Sequence, residues 1–184
     1  ELGCEALDIT EVPGADDLAC PEGVILESEE NTTELFGSRH SFYCTGGSSQ
    51  CVKAMLHLAY LFRPEGTGNC ILAARNAHKS FLHGCALLGL EPRWLYPEAG
   101  TPLCSCPVSP AALERALQTG ERPFAVYITS PDYLGGVQDI SALAEVCHRH
   151  GLPLLVDNAH GAYLKFLEPS RHPLDLGADM CCDS

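Results

Sequence analysis

The chain has 184 residues, of which 46% are hydrophobic, and carries 24 acidic against 11 basic side chains, for a formal net charge of −13. This charge repels phosphate backbones and anionic lipid surfaces, so neither nucleic acid nor a membrane is an expected partner. No apolar run approaches the roughly 18 residues of a membrane span. The first five residues also lack a signal-peptide pattern, so we expect a cytoplasmic protein.

The eleven cysteines do not predict a disulfide framework or a metal site. They are scattered and odd in number, and no two are spaced as Cys-x-x-Cys. Several lie in apolar runs, where a reduced thiol packs as a small hydrophobic group. Cys51 comes nearest to a helix-capping position, and we interpret it as a packing residue rather than a redox centre.

After an acidic, irregular opening at residues 1–20, short β-rich runs alternate with amphipathic helical patterns. Strands are predicted at residues 41–45, 70–74, 93–96, 124–129, 153–157 and 179–182. Helices are predicted at about 22–36, from about 48 to 63, from 109 to 120 and from 139 to 151. This alternation is typical of a three-layer α/β/α fold with a mostly parallel central sheet, formed by one large domain at 21–184.

The predicted strand at 41–45 leads through Gly46 and Gly47 directly into a helix that begins with Ser48, Ser49 and Gln50. Unpaired N–H groups and the helix dipole favour a phosphate at such a start. A simpler alternative is that Ser48 or Ser49 only caps the helix.

A carboxylate follows the apolar strand at 153–157, because Asp157 comes at its carboxyl end and His160 lies three residues later. Open α/β sheets bind ligands at this edge, and a carboxylate at that depth needs a cationic partner. The simpler alternative is that Asp157 caps the next turn and His160 is a core histidine with its hydrogen bonds satisfied. Polar residues also follow the strands at 70–74 and 124–129, and this repetition favours a ligand site.

A phosphate site and a buried carboxylate together suit pyridoxal phosphate (PLP). The carboxylate would keep the pyridine nitrogen protonated, so that the ring can accept electrons from a carbanion. Asp157 is the candidate for this carboxylate. His78 is the candidate for a flat side chain over the ring face.

At these residues the chain resembles the PLP-dependent ornithine/lysine/arginine decarboxylases, which have the aspartate-aminotransferase-like fold known as fold type I. The matching motifs keep their order over nearly the whole chain. They are Asp8-Ile9-Thr10-Glu11-Val12-Pro13-Gly14 with Asp16-Asp17-Leu18, Pro21-Glu22-Gly23, Thr45-Gly46-Gly47-Ser48-Ser49, Arg75-Asn76-Ala77-His78-Lys79-Ser80 with His83-Gly84, Thr129-Ser130-Pro131-Asp132-Tyr133, and Val156-Asp157-Asn158-Ala159-His160-Gly161-Ala162.

The resemblance implies catalytic roles for Asp157, His78 and His160. Asp157 would pair with the ring nitrogen, His78 would stack on the ring, and His160 would line the pocket. The other cofactor contacts that it implies are Ser48, Ser49 and Gln50 at the phosphate, Ser130 near the reactive edge of the ring, and Ser184.

The resemblance also implies a lysine that binds the cofactor covalently, as a Schiff base, just after the position of Ser184. The only lysines here are Lys53, Lys79 and Lys165, and none lies after the strand at 179–182. We therefore expect the chain to be truncated before this lysine, or to carry a modified lysine that the sequence does not show. Smaller departures are Gly46, where the family usually has Asn, and Asp132, where Thr is common.

The expected activity is PLP-dependent decarboxylation of an amino acid, of the basic ornithine, lysine or arginine type, by a homodimer or larger homo-oligomer. One alternative is another reaction of the same fold, such as transamination, β-elimination or aldol cleavage, because the scaffold does not choose which bond breaks. Another is a cofactor-free regulatory or interaction protein, which would be favoured if no lysine followed Ser184.

Overall fold

The computed structural model describes residue 12 and residues 14–184. The chain forms two compact units, residues 1–45 and 46–184, which are described separately. Most of the predicted irregular opening lies outside the described residues. The predicted division between residues 20 and 21 falls inside the first unit and stays a prediction.

The first unit contains helix α1 (Val24–Phe36), which ends at Gly37 as predicted, with Gly37 in the left-handed conformation (φ 66°). Before α1, the Asp16 carboxylate accepts hydrogen bonds from the backbone N–H groups of Glu22, Gly23 and Ile25. These bonds, with that from Glu22 the strongest, lower the pKa of Asp16 to about 2.

The strand predicted at 41–45 is wrong, because the structure has no strand there. The N–H of Tyr43 donates to Glu29 Oε1 of α1, at 2.9 Å. The hydroxyl of Tyr43 lies 3.0 Å from Ser28 Oγ on the same helix. Side chains of α1 therefore provide hydrogen-bond partners for this segment. In a sheet, the backbone of a neighbouring strand would provide them.

The second unit alternates helices and strands. Its helices are α2 (Gly47–Leu61), α3 (Lys79–Leu88), α4 (Pro110–Leu117) and α5 (Ile140–Arg149). Its strands are β1 (Cys70–Ala74), β2 (Glu91–Leu95), β3 (Val126–Thr129), β4 (Leu154–Asn158) and β5 (Met180–Asp183), with two 3₁₀ helices, Ala162–Phe166 and Pro173–Leu176, before β5. Across the described residues, no helix combines the length and the apolar character that a membrane crossing requires.

The five strands form one sheet in the order β2-β1-β3-β4-β5, and every neighbouring pair is parallel. This confirms the predicted parallel sheet, with most strand ends displaced by one or two residues. Helix α3 was not predicted, because residues 75–80 were interpreted only as polar residues that follow a strand. Its signals were His78, which caps the helix, and Gly89, which ends it in the left-handed conformation.

Helices cover both faces of the sheet, which confirms the three-layer α/β/α architecture. On one face, α2 and α3 pack over buried residues such as Ile71, Tyr127 and Leu155. On the other face, α4 and α5 pack over residues such as Leu72 and Val156. The helix starts predicted at Ser109 and Asp139 are confirmed, since both side chains accept a hydrogen bond from the helix backbone. This arrangement brings the carboxyl ends of β1, β3 and β4 and the starts of α2 and α3 to one edge of the unit.

Phe81 of α3 is fully buried, with its ring centroid 4.4 Å from that of Tyr127 and 5.8 Å from that of Trp94. Replacing it by alanine leaves a cavity that its neighbours fill only in part. We predict that Phe81→Ala lowers the free energy of unfolding by about 3–5 kcal/mol, measured by urea denaturation of the intact protein. The control Phe81→Leu leaves a smaller cavity and should cost clearly less; equal losses in the two variants would contradict this packing.

Candidate functional site

A cavity of about 150 Å³ lies at the edge of the sheet where β3 and β4 end and α2 and α3 begin. It is small, and polar groups from four segments of the second unit reach it. The residues that line it are Ser48, His78, Ser80, Thr129, Pro131, Tyr133, Asp157, Ala159 and His160. Four of the residues predicted from the sequence, Ser48, His78, Asp157 and His160, are thus brought together.

Asp157 is the most deeply placed charged group of this cavity, with 5% of its surface exposed. Its Oδ2 accepts a hydrogen bond from the Tyr127 hydroxyl at 2.9 Å, and its Oδ1 accepts a longer one from Ala159 N at 3.3 Å. None of the ion pairs among the described residues involves Asp157. The carboxylate therefore does more than cap a turn, because it is a buried anion that faces a cavity without a cationic partner.

His78 has two roles at the start of α3. Its Nδ1 accepts a hydrogen bond from Ser80 N at 3.2 Å and lies 2.8 Å from Ser80 Oγ. An Nδ1 that accepts from an N–H carries no proton itself, so the neutral ring has its proton on Nε2. The cap fixes the ring at the cavity wall, which suits the predicted contact with a flat ligand.

Helix α2 begins at Gly47 (φ +64°), a left-handed conformation that favours glycine, and Gly46 rather than a serine occupies the N-cap position. The structure therefore excludes the alternative that Ser48 or Ser49 is only a helix cap. Ser48 lines the cavity, whereas Ser49 is not among the lining residues. Gln50 Oε1 instead accepts a hydrogen bond from Gly46 N at 2.8 Å, so this side chain supports the helix start.

The end of β3 contributes a residue that the sequence analysis missed. Ser130 is buried, and its Oγ accepts a hydrogen bond from Gln138 N at 3.0 Å, outside the cavity lining. The preceding residue, Thr129, lines the cavity, and its buried hydroxyl has no hydrogen-bond partner among the residues that the structure describes. No local signal in the sequence marks Thr129, because its place beside Asp157 follows from the parallel register of the folded sheet.

The two remaining predicted residues lie at the surface. His160 is exposed and its ring centroid lies 5.5 Å from that of Tyr133, so it is not a core histidine. Ser184 is exposed and does not line the cavity. None of Lys53, Lys79 and Lys165 lines it either, and Lys165 pairs with Asp175 at 2.7 Å.

One group in the described part of the chain has the residue types of a metal site: His172, Cys181 and Asp183. His172 Nε2 lies 3.2 Å from Asp183 Oδ2, while Nδ1 accepts a hydrogen bond from Leu174 N at 3.4 Å. A metal-bound histidine normally donates its second ring N–H to an acceptor, and here that nitrogen faces a donor. We therefore interpret the group as a hydrogen-bonded network. Burial raises the pKa of Asp183, and hydrogen bonds from His172 and Asn158 lower it. The lowering is larger in sum, so the pKa of Asp183 lies below its ordinary value.

Comparison with known families shows the family to which the chain belongs. The family described as the Orn/Lys/Arg decarboxylase major domain matches residues 5–183. This chain belongs to that family. The resemblance deduced from the sequence motifs is thereby confirmed.

Individual relatives of this decarboxylase-family chain agree with the assignment. An arginine decarboxylase of Halalkalibacterium halodurans is 30% identical over 97% of the chain, and the uncharacterized protein YaaO of Bacillus subtilis is 34% identical over the same share. The match covers 36% of each of these relatives, so the chain spans about a third of their length.

Solved structures confirm the fold. The structure of Oryza sativa TDC with PLP and tryptamine has a TM-score of 0.72 at 20% identity, and covers 96% of this chain and 40% of its own. Mouse CSAD in apo form has a TM-score of 0.65 at 26% identity, and covers 85% of this chain and 37% of its own. Family and neighbours together confirm the prediction that the chain has the scaffold of a PLP enzyme.

The residues of the cavity fit this cofactor on two structural observations. Asp157 is a buried carboxylate without an ionic partner, as required opposite a protonated ring nitrogen. Thr129 offers a buried hydroxyl whose hydrogen bonds are unmade. Ser48 adds a hydroxyl in the first turn of a 15-residue helix, where anions are favoured.

Gly161 supports the wall of the cavity through close backbone approach. A Cβ at this position would lie 2.5 Å from Pro131 Cδ and closer still to Asn158 Oδ1, and both neighbours are buried. We predict that Gly161→Ala destabilises the intact protein by about 1–3 kcal/mol in thermal unfolding.

Gly84→Ala is the matched control for this prediction. The one short contact of its added Cβ would be with the end of a side chain, Leu56 Cδ1 at 2.7 Å, since Lys53 Cγ and Cα lie at ordinary contact distances of 3.5 and 3.8 Å. Alanine also favours the helix. A loss at Gly84 as large as that at Gly161 would show that the rigid contacts are not decisive.

Proposed function

We propose that this chain is the cofactor-binding part of a PLP-dependent amino-acid decarboxylase that acts on a basic amino acid of the ornithine, lysine or arginine type. One observation carries the proposal: the buried Asp157 carboxylate faces a cavity with no cation to balance it. The family assignment and the arginine decarboxylase relatives support the reaction class. The net charge of −13 favours the approach of a cationic substrate.

Each polar residue of the cavity would bind a different part of the cofactor. Ser48 and the first turn of α2 would bind its phosphate, and Asp157 would hold a proton at its ring nitrogen. His78 would contact the ring face, and Thr129 would donate its hydroxyl to a polar substituent of the ring. When bound, PLP supplies an electron-accepting ring that stabilises the carbanion left after a bond to the substrate's α-carbon breaks.

The chain's own contribution to the reaction is orientation and electrostatics. Asp157 would face the ring nitrogen from a buried position, with 5% of its surface exposed, where the interaction of a carboxylate with a cation is stronger than in bulk solvent. His78 is fixed by its hydrogen bonds with Ser80 and so limits the tilt of the ring. His160 and Tyr133 form an aromatic pair at the cavity, suited to contact the substrate.

Other roles remain proposals of the resemblance alone. These are phosphate contacts by Ser49 and Gln50, a contact near the reactive edge by Ser130, and a contact by Ser184. A lysine just beyond Ser184 that binds the cofactor covalently is proposed on the same basis, as are a cytoplasmic location and assembly into a homodimer or larger homo-oligomer.

The activity test uses the intact protein with PLP and a panel of basic, acidic and neutral amino acids. We predict release of CO₂ and the matching amine from a basic amino acid. We also predict that Asp157→Ala retains some cofactor but lowers kcat by at least about a hundredfold, because a charge at the reacting system is lost.

Asp175→Asn is the control for the activity test, because Asp175 pairs with Lys165 and does not line the cavity. Its kcat should equal that of the wild type. If keto-acid or elimination products formed without CO₂, the protein would catalyse another PLP reaction, and the proposal of decarboxylation would be wrong. Failure to bind PLP would favour a cofactor-free role, and full activity of Asp157→Ala would contradict the role of this carboxylate.

The phosphate contact is tested by comparing PLP with pyridoxal, which lacks the phosphate. We predict that Ser48→Ala weakens the binding of PLP about tenfold, as for the loss of one hydrogen bond to a charged group, measured by equilibrium absorbance titration. Binding of pyridoxal should not change. An equal loss for both ligands would move Ser48 away from the phosphate.

A further inference from the structure

We propose that Tyr127 is a positioning residue, which holds the Asp157 carboxylate in the orientation that a cationic ring nitrogen requires. The inference rests on the proposed function, since it concerns the same cavity. Tyr127 does not line the cavity and so would act only through Asp157. In the sequence it resembles an ordinary core residue, in the middle of an apolar strand.

The sheet places the two side chains on one face. In the parallel pairing of β3 with β4, Tyr127 is opposite Leu155 and Thr129 is opposite Asp157. Alternate residues of a strand point to the same side of the sheet, so Tyr127, Thr129 and Asp157 share one face. Tyr127 lies two residues before Thr129, nearer the amino end of β3. Its hydroxyl reaches forward to Asp157 Oδ2 at 2.9 Å.

The tyrosine ring is held rigidly. It has no exposed surface, and its centroid lies 4.4 Å from that of Phe81. Burial, and next the charge of Asp157, raise the pKa of Tyr127 well above its ordinary value. The hydroxyl therefore keeps its proton and serves as a fixed donor.

Two donors thus define the plane of the carboxylate: the Tyr127 hydroxyl on Oδ2 and the Ala159 N–H on Oδ1. Both bonds are charge-assisted, because both donate to the carboxylate, and the bond from Tyr127 is the shorter and stronger of the two. Among the described residues no ion pair competes for Asp157. Without Tyr127 the carboxylate could rotate, and binding a cation would first require ordering it.

The test is a double-mutant cycle on PLP binding to the intact apo-protein, followed by absorbance. We expect Tyr127→Phe to raise the Kd for PLP about tenfold in the wild-type background. In the Asp157→Ala background the same change should alter Kd less than about twofold, because the group on which it acts is gone. Equal factors in both backgrounds would overturn the proposal, since Tyr127 would then act through general packing.

Tyr60→Phe is the matched control. Tyr60 packs against the same hydrophobic cluster, with its ring 5.5 Å from that of Phe124, and does not contact Asp157. Its Kd should equal that of the wild type. Tyr127→Met is a second variant, which removes the hydroxyl but keeps a flexible apolar side chain in the core, and its Kd should rise at least as much as that of Tyr127→Phe.

The outcomes separate this inference from the proposed function. If the wild type binds PLP and Asp157→Ala weakens binding, but both Tyr127 variants bind as the wild type does, the role of Tyr127 is refuted and the function stands. If the wild type does not bind PLP, the proposed function fails and the inference fails with it.

Discussion

The site depends on one buried negative charge. Asp157 lies at the end of an interior strand, and within the described part of the chain its two oxygens accept hydrogen bonds from the Tyr127 hydroxyl and the Ala159 N–H. Burying such a group without a cation costs free energy. The site therefore favours binding of a positively charged ligand atom at this point. Tyr127 lessens the cost and also fixes the direction in which the charge is presented.

The rest of the second unit places complementary groups around this charge. Parallel strands end at one edge, so Thr129 and Asp157 become neighbours although 28 positions separate them in the sequence. Helix α2, which precedes β1, and helix α3, which follows it, begin at the same edge and bring Ser48 and His78. The cavity is therefore a consequence of the parallel topology, and its chemistry comes from the few polar residues at the strand and helix ends.

Much of the site could be predicted because its residues occur in short motifs at strand ends or at a helix start. Asp157, His78 and His160 were found at or after the ends of apolar strands, and Ser48 was found at the glycine-rich start of α2. Thr129 was missed in favour of Ser130, because the motif does not tell which of two successive residues points into the cavity. The strand expected at 41–45 was wrong, because the local sequence does not show which hydrogen-bond partners the segment meets. Its apolar residues suit a sheet, but the N–H and the hydroxyl of Tyr43 form hydrogen bonds with side chains of α1.

The sequence by itself determined the fold class, the parallel sheet, the family and the kind of ligand, because periodicity, caps and motifs are local properties of the chain. Only the tertiary structure decided which groups meet. It turned Ser130 toward Gln138, left the Thr129 hydroxyl unpaired, and joined Tyr127 to Asp157 across two strands. These contacts depend on register and side-chain direction between segments distant in sequence, and no local pattern encodes them.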